Sequence, residues 1–375
     1  MKKASLFISI IIFIISCFIA YDVINRKEEI HFIPTIKEID DGVKSIKFKV
    51  DTFYLAIGES EKLNYDIESS KDDYKLTLLS ENEDIVSISD GKIVGVNLGT
   101  SVVTLKSESG KKAEVSVTVT DLIRKPELDD KKNFLPCHAY TEEEAHIIDE
   151  ALRTRVLNKG EGTRAALIET IRFMTLSFKY KVSYFYENGR MHESGVRKAD
   201  GEGRYYHKGL YLSEDKFKDI KVSHKGPAIW GCPLTNLQDH NRYKPGAKMP
   251  NGLDCSGFVT WSLYNSGLDV GDIGAGINDR HKDMSDVGEM HSLTYEYANS
   301  GDYKVGDVIA RWGHTALIAG KDSEYLYIAE SLLKGVRIEK VSYKNPNSSL
   351  YKYYAYINKM DKEYSKNDDY TDMWE

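Results

Sequence analysis

The stretch Asn251-Gly-Leu-Asp-Cys-Ser-Gly-Phe-Val-Thr-Trp261 sets a cysteine where turn-forming residues give way to an amphipathic run. Phe258, Val259 and Leu263 follow Cys255 at helical spacing. A thiol at a helix start meets unpaired N–H groups and the positive end of the helix dipole. Both favour the thiolate, which is the nucleophilic form. The same N–H groups can hold the oxyanion of a tetrahedral intermediate. A cysteine in such a helix, taken alone, is more often an inert small hydrophobe. A second block, Gly306 to Gly320, reads as one strand and carries His314, with a turn at Lys321-Asp322-Ser323 and a return strand from Glu324 to Ser331. Centring that hairpin on Asp322 sets His314 directly opposite Glu330, where Cβ atoms lie about 4.5–5.5 Å apart. A carboxylate there fixes the imidazole tautomer and favours its charged form. Nucleophile, base and orienting group would then be complete. A one-residue slip would bring Ala329 or Ser331 opposite instead.

Several elements must position these groups. Lys2 and Lys3 precede an uncharged run from Ala4 to Tyr21. At about 1.5 Å per residue such a run spans about 27 Å, nearly the hydrocarbon thickness of a bilayer. The expectation is an uncleaved anchor with its lysines on the cytoplasmic side and the rest of the chain exported. A cleaved signal is one alternative. A lipoprotein signal is another, because Ile14-Ile15-Ser16-Cys17 resembles a loose lipobox. Residues 23–44 read as a polar stalk. Over 45–121 the pattern turns to short β segments: Val115, Val117 and Val119 alternate with polar residues, and Gly58, Asp90-Gly91, Gly99 and Gly110 punctuate the runs. That rhythm predicts a β-sandwich. Residues 122–140 read as a linker. Thr141-Glu-Glu-Glu144 is a capping box opening a helix to about Leu157, and a second helix is expected from Thr163 to Tyr180, with Leu167, Ile171, Met174 and Phe178 on one face. Residues 184–250 show little periodicity.

Two resemblances follow from these residues. Tyr54-Leu-Ala-Ile-Gly-Glu-Ser-Glu-Lys-Leu63, then Ile85 to Gly99, then a final Val/Thr strand, resembles a bacterial Ig-like domain of group 2 (BIG2), which implies a spacer or adhesion module. Asp254-Cys255-Ser256-Gly257-Phe258, then Gly306-Asp307 before His314, then Ile328-Ala-Glu330-Ser331, resembles the NlpC/P60 papain-like cysteine peptidases over residues 225–358. The implied fold class is multidomain: a transmembrane helix, an all-β Ig-like sandwich, a helical and loop-rich lead-in (141–224), an α+β papain-like domain, and a polar tail (359–375). The implied activity is hydrolysis of peptidoglycan stem peptides, usually at the γ-D-Glu–diamino acid amide. Cys255 would attack, His314 would move the proton, Glu330 would orient His314, and Asp254 and Ser256 would help hold a free stem-peptide amine. No cofactor or metal is implied. Two positions depart from the family. The third triad residue is more often His, Asn or Gln. The usual Tyr-x-Trp-Gly-Gly is here Ala228-Ile-Trp-Gly-Cys232, leaving Trp230 as its substrate-binding aromatic and Tyr205, Tyr206 or Tyr211 as stand-ins for the tyrosine.

Composition narrows the alternatives. With 51 Lys+Arg against 58 Asp+Glu, the net charge of −7 excludes a broadly basic nucleic-acid binder. The four cysteines form no CxxC pair, and His207, His224, His240, His281 and His291 form no metal-binding motif. Cys137 and Cys232 could pair outside the cell, or remain two thiols. Gly271-Asp-Ile-Gly-Ala-Gly276 reads as a loop near the cleft. The expected partners are stem peptides and, through the N-terminal helix, a membrane; a monomer is expected. The competing readings are a non-catalytic wall-binding or adhesion protein, and an amidase or acyltransferase on the same fold.

Overall fold

The computed structural model describes residues 40–128, 140–185, 220–222, 230–237, 244–249, 251–268, 270–271, 273–275 and 284–365. The expected anchor, most of the stalk, Cys137, and Tyr205, Tyr206 and Tyr211 lie outside these residues. Among the described residues, no helix is long and apolar enough to cross a membrane.

The architecture is β-rich and multidomain. The first unit starts with β1 (Val43–Phe48), two residues before the expected boundary. It continues through β2 (Thr52–Ala56), β3 (Ser60–Glu61), β4 (Tyr65–Ser69), β5 (Leu76–Ser80), β6 (Val86–Ser89), β7 (Lys92–Gly95), β8 (Gly99–Ser107) and β9 (Lys112–Thr120). These strands form sheets ordered β1-β4, β2-β9-β8-β5 and β3-β7-β6, with β2 parallel to β9. The alternation seen in the sequence is the burial pattern: Val115, Val117 and Val119 join Phe53, Leu55, Val86, Ile93 and Val103 in one core. The β6–β7 hairpin turns on Asp90 and Gly91, with φ of 50° and 72°, as a tight two-residue hairpin loop requires.

The helical layer follows. α1 (Glu142–Lys159) opens on the expected capping box, in which Thr141 accepts from the Glu144 N–H and the Glu144 carboxylate accepts from the Thr141 N–H. α2 (Arg164–Arg172) is capped by Thr163 and ends in a π-helical turn over Phe173–Ser177, so the second helix stops before the expected Tyr180. Its apolar stripe is core as expected, and Leu167, Ile171, Met174 and Phe178 are all buried. The expected linker is partly docked. Ile123 sits in that same core, and Arg124 donates from Nε to the Leu176 carbonyl (2.7 Å) and from its main-chain N–H to Ser177 (3.0 Å).

Three short strands, β10 (Ile220–Val222), β11 (Leu234–Asn236) and β12 (Lys248–Met249), pair in order ahead of α3 (Cys255–Asn265). The last sheet is antiparallel and six-stranded. It contains β13 (Glu289–Ser292), β14 (Val308–Arg311), β15 (His314–Lys321), β16 (Tyr325–Leu332), β17 (Gly335–Ser342) and β18 (Tyr356–Lys359), in the order β13-β18-β14-β15-β16-β17. On one face α3 packs against Leu317, Ala319 and Ala329. On the other, α4 (Tyr295–Ser300) and α5 (Ser349–Tyr353) cover Ala316, Ile318 and Ile328. The start of the expected polar tail belongs to the fold: Met360 and Tyr364 are buried, and Tyr364 donates to the Gly306 carbonyl (2.6 Å).

The expected single strand over 306–320 is two. Trp312-Gly313 turns the chain back, pairing Arg311 with His314, and Gly313 takes a φ of 76°. The apolar run hides this break because both strands are buried on both faces, which removes the polar alternation that marks a hairpin.

The sandwich is joined to α1 by buried polar contacts. Arg155 grips both oxygens of Glu59 (2.6 and 2.8 Å). Asn158 and Asn64 exchange two side-chain-to-backbone bonds (2.7 and 2.8 Å), and Lys159 pairs with Glu61 at 2.8 Å. Ala56 of β2 enters the core of the helical layer, and Leu157 of α1 packs on the core of the sandwich.

Candidate active site

Cys255 is the first residue of α3 and is 6% exposed. Asp254 caps the helix: its Oδ1 accepts from the Gly257 N–H (2.7 Å) and from the Ser256 hydroxyl (3.2 Å). This is why the sequence folds so sharply here. An Asp in extended conformation satisfies an early helical N–H and complements the dipole. Asp254 and Ser256, the expected binders of a substrate amine, thus also meet each other at the helix start that presents Cys255.

The segment before the helix is held by close backbone approach. Leu253 exchanges main-chain hydrogen bonds with Ser183 and Phe185, and a Cβ at Gly252 would overlap the Ser183 carbonyl oxygen. Trp230, expected to touch substrate, is instead fully buried in the core, and the neighbouring Gly231 N–H donates to Asn251 (2.7 Å). With no exposed area, its indole offers no surface to a ligand in this conformation. Cys232 is disulfide-bonded and Cys255 is not; the partner of Cys232, Cys17 or Cys137, lies outside the described residues.

His314 opens β15 and is 3% exposed, and Glu330 on β16 is 1% exposed. Nε2 of His314 lies 2.9 Å from Oε2 of Glu330. The expected direct opposition is not how they meet. The turn falls one residue later, at Asp322–Glu324, and the register shifts between Ile318 and Gly320, so Leu317 pairs with Ala329 and Ile318 with Ile328. Continued to the start of β15, that register makes Glu330 a diagonal neighbour of His314. The displacement is two residues, so the side chains stay on one face and within reach of each other.

Glu330 has a full set of partners. Its Oε2 also accepts from the Tyr354 hydroxyl (2.7 Å), and its Oε1 accepts from Nε (3.0 Å) and Nη2 (2.7 Å) of Arg337. Burial alone would push this carboxyl up, but the bonds from His314, Tyr354 and Arg337 outweigh it and hold the group below the usual glutamate range. Burial, reinforced by the adjacent Glu330 charge, pushes Tyr354 far up, so its hydroxyl remains a donor. An ionised carboxylate only accepts hydrogen bonds, so the proton of neutral His314 belongs on Nε2 and the Nδ1 lone pair is left to act as a base. Tyr353 meets the imidazole edge-on at 5.4 Å, and Arg311 lies over the Tyr353 ring at 4.1 Å.

The two halves meet along β16. Ser331, next to Glu330, donates its hydroxyl to the Leu253 carbonyl (2.6 Å), two residues before Cys255. Among the described residues no hydrogen bond joins Cys255 to His314. His314, with Ala316 and Ile318, belongs by alternation to the sheet face away from the body of α3. Of the glycine run, Ala275 reaches the turn before His314, where its carbonyl accepts from the Gly313 N–H (3.0 Å).

Gly306-Asp307 proves structural. Asp307 accepts from Arg164 (2.9 Å) and from the N–H groups of Lys304 (2.8 Å) and Met360 (3.0 Å), tying α2 to the sheet and the C-terminal segment. Sequence reasoning missed Arg337 and Tyr354. Arg337 opposes Glu330 once the β16–β17 turn is set at Leu333-Lys334, whereas no pattern marks Tyr354. Among the described residues no group of His, Cys, Asp and Glu could hold a metal; His291 pairs with Glu289 at 3.1 Å, and His207, His224, His240 and His281 lie outside them.

No protein-family model matches this chain, and no curated protein matches it significantly. Ten chains of solved structures are similar to parts of it, among them two from one surface-layer protein. Domains 4 and 5 of the S-layer protein SbsC share 20% identity at a TM-score of 0.19, over 21% of this chain and 46% of that one. Domains 4–9 of the surface layer protein SbsC share 19% identity at a TM-score of 0.20, over 26% of this chain and 18% of that one. The matched part thus spans less than half of either structure, and likeness at these scores carries no argument about function.

Proposed function

We propose that this chain is an exported cysteine peptidase that hydrolyses amide bonds in peptidoglycan stem peptides, with Cys255, His314 and Glu330 as its catalytic groups. The observation that carries the reading is the buried His314–Glu330 pair, whose strand continues directly into the Ser331 hydroxyl that fastens the cysteine loop. Cys255 Sγ attacks the amide carbonyl carbon while its proton passes to His314 Nδ1. The tetrahedral intermediate collapses, the C–N bond breaks, and the leaving amine takes that proton. Water then attacks the thioester, His314 accepts a proton from it, and the acid and the free thiol are released. The positive end of α3 favours the thiolate. Hydrogen bonds of such couples are often long without substrate and tighten when it binds. The substrate class and the γ-D-Glu–diamino acid bond rest on the NlpC/P60 resemblance. Export and membrane attachment rest on the uncharged run after Lys2-Lys3, and a spacer role for the sandwich rests on the BIG2 resemblance.

The test is turnover of purified muropeptides by the full chain and by Cys255→Ala, with products identified by mass spectrometry. Amide cleavage by the first and none by the second is expected; equal product from both refutes the reading. A second reading, a non-catalytic wall-binding protein, is favoured by the place of His314 on the sheet face away from the body of α3. It predicts peptidoglycan pull-down without turnover and a thiol titrating near the ordinary value of about 8.5.

A further inference from the structure

We propose that Arg337 is a positioning residue. By holding Glu330 ionised with Oε2 turned to His314, it fixes the imidazole proton on Nε2 and leaves Nδ1 to take the thiol proton. This rests on the catalytic reading above for its consequence, but its geometry stands apart from it. Glu330 lies on β16, next to the edge strand β17, and is almost fully buried, so its charge needs a partner. Arg337, its opposed residue on β17, supplies one through two bonds to Oε1. With Oε1 engaged, Oε2 has only one orientation left, and that orientation meets both His314 Nε2 and the Tyr354 hydroxyl. A bidentate guanidinium fixes the plane of a carboxylate in a way that a single ammonium cannot.

The groups that face this pair come from every neighbouring element. They are His314 on β15, Tyr354 after α5 with Tyr353 beside it, and Glu339 on β17, which shares Arg337 Nη2 at 2.7 Å. Arg311 on β14 is turned onto Tyr353. Arg337 is thus the cation bonded to the Glu330 carboxylate among the described residues. Without it, Glu330 would be left with its burial and two hydrogen bonds, and its carboxyl would protonate at higher pH. A protonated Glu330 can donate to Nε2, which drives the imidazole proton to Nδ1 and removes the base.

The test reads the tautomer directly, with no substrate. Full-length protein carrying ¹⁵N-histidine is followed by NMR from pH 4 to 8, with the His314 signals assigned by their loss in His314→Gln. The wild type is expected to keep the Nε2–H tautomer of neutral His314 wherever the ring is uncharged. In Arg337→Met, the pH at which that signature disappears should rise by about 1–3 units, the usual effect of one adjacent opposite charge. Arg337→Lys should restore part of the shift. Glu339→Gln, which leaves Arg337 and Glu330 in place, should behave as wild type. Identical His314 titrations in wild type and Arg337→Met overturn the proposal. Should Arg337→Met fail to fold, Arg337→Lys decides, because a purely structural cation would leave the tautomer profile unmoved. A wild type that keeps Nε2–H but cleaves no muropeptide sinks the peptidase reading and leaves this assignment standing.

Discussion

Replacing Glu330 with glutamine keeps its shape and removes its charge, and the surrounding donors make the outcome calculable. Every hydrogen bond to the carboxylate is donated to it: two from Arg337 to Oε1, and one each from Tyr354 and His314 to Oε2. Glutamine has one accepting oxygen and one donating NH2. If its oxygen turns to Arg337, the NH2 faces Nε2, the imidazole proton must move to Nδ1, and the base is lost. If its oxygen turns to His314, the NH2 faces a guanidinium 2.7 Å away, and donor opposes donor. The second arrangement forfeits charge-assisted hydrogen bonds worth about 1.5–3 kcal/mol. Losing a general base lowers the rate by about 10²–10⁴. Glu330→Gln should therefore lose at least a hundredfold in kcat/KM, and its melting temperature should fall. Glu330→Gln combined with Arg337→Gln should recover part of both losses. The new amide oxygen on β17 can accept from the new NH2 on β16, which leaves the β16 amide oxygen to accept from His314 Nε2. The assay is a double-mutant cycle on muropeptide turnover and thermal denaturation. Losses that simply add in the double variant would refute the reasoning, as would a Glu330→Gln protein as active and stable as wild type.

Three further outcomes are expected. Gly252→Ala should lower thermal stability by about 1–3 kcal/mol and slow alkylation of Cys255, because its new methyl would strike the Ser183 main chain rather than a movable side chain. Arg155→Met should cost about 3–5 kcal/mol by leaving Glu59 buried without its cation, and Glu59→Gln in the same protein should return much of that loss in calorimetry. Glu330 titrates below its ordinary value of 4.5, so the stability it adds is complete above that value and is lost as pH falls through the lower folded value. The melting-temperature advantage of wild type over Glu330→Gln should accordingly be flat from neutral pH to about pH 5 and shrink in stronger acid.

Local chemistry is legible wherever one residue type has one dominant use. Thr141 with Glu144 announces α1, the spacing of Phe258, Val259 and Leu263 after turn-forming residues announces α3, and Asp90-Gly91 announces a turn. The valine alternation in β9 marks the buried face of the sandwich. His314 and Glu330 pair in the sequence through a register two residues away from the observed one, and the pairing survives because a two-residue shift preserves the face. Long-range contacts are not legible. Tyr354 reaches Glu330 from beyond α5 with no periodic signal, and Trp230 reads as a substrate-binding aromatic although it is fully buried. Arg155 and Glu59, far apart in the chain, look like solvated charges in the sequence, since nothing local tells a surface ion from a buried one.

The contact between the sandwich and α1 has a mechanical consequence. Apolar packing crosses it in both directions, and Arg155 and Glu59 shield one another from water inside it, so bending there would expose an unpaired ion. A chain held by its N-terminal side would therefore carry its thiol as the head of a rigid bracket rather than as a weight on a string. Loosening Arg155 would let the sandwich swing against α1 while leaving the contacts of His314 and Glu330 unchanged.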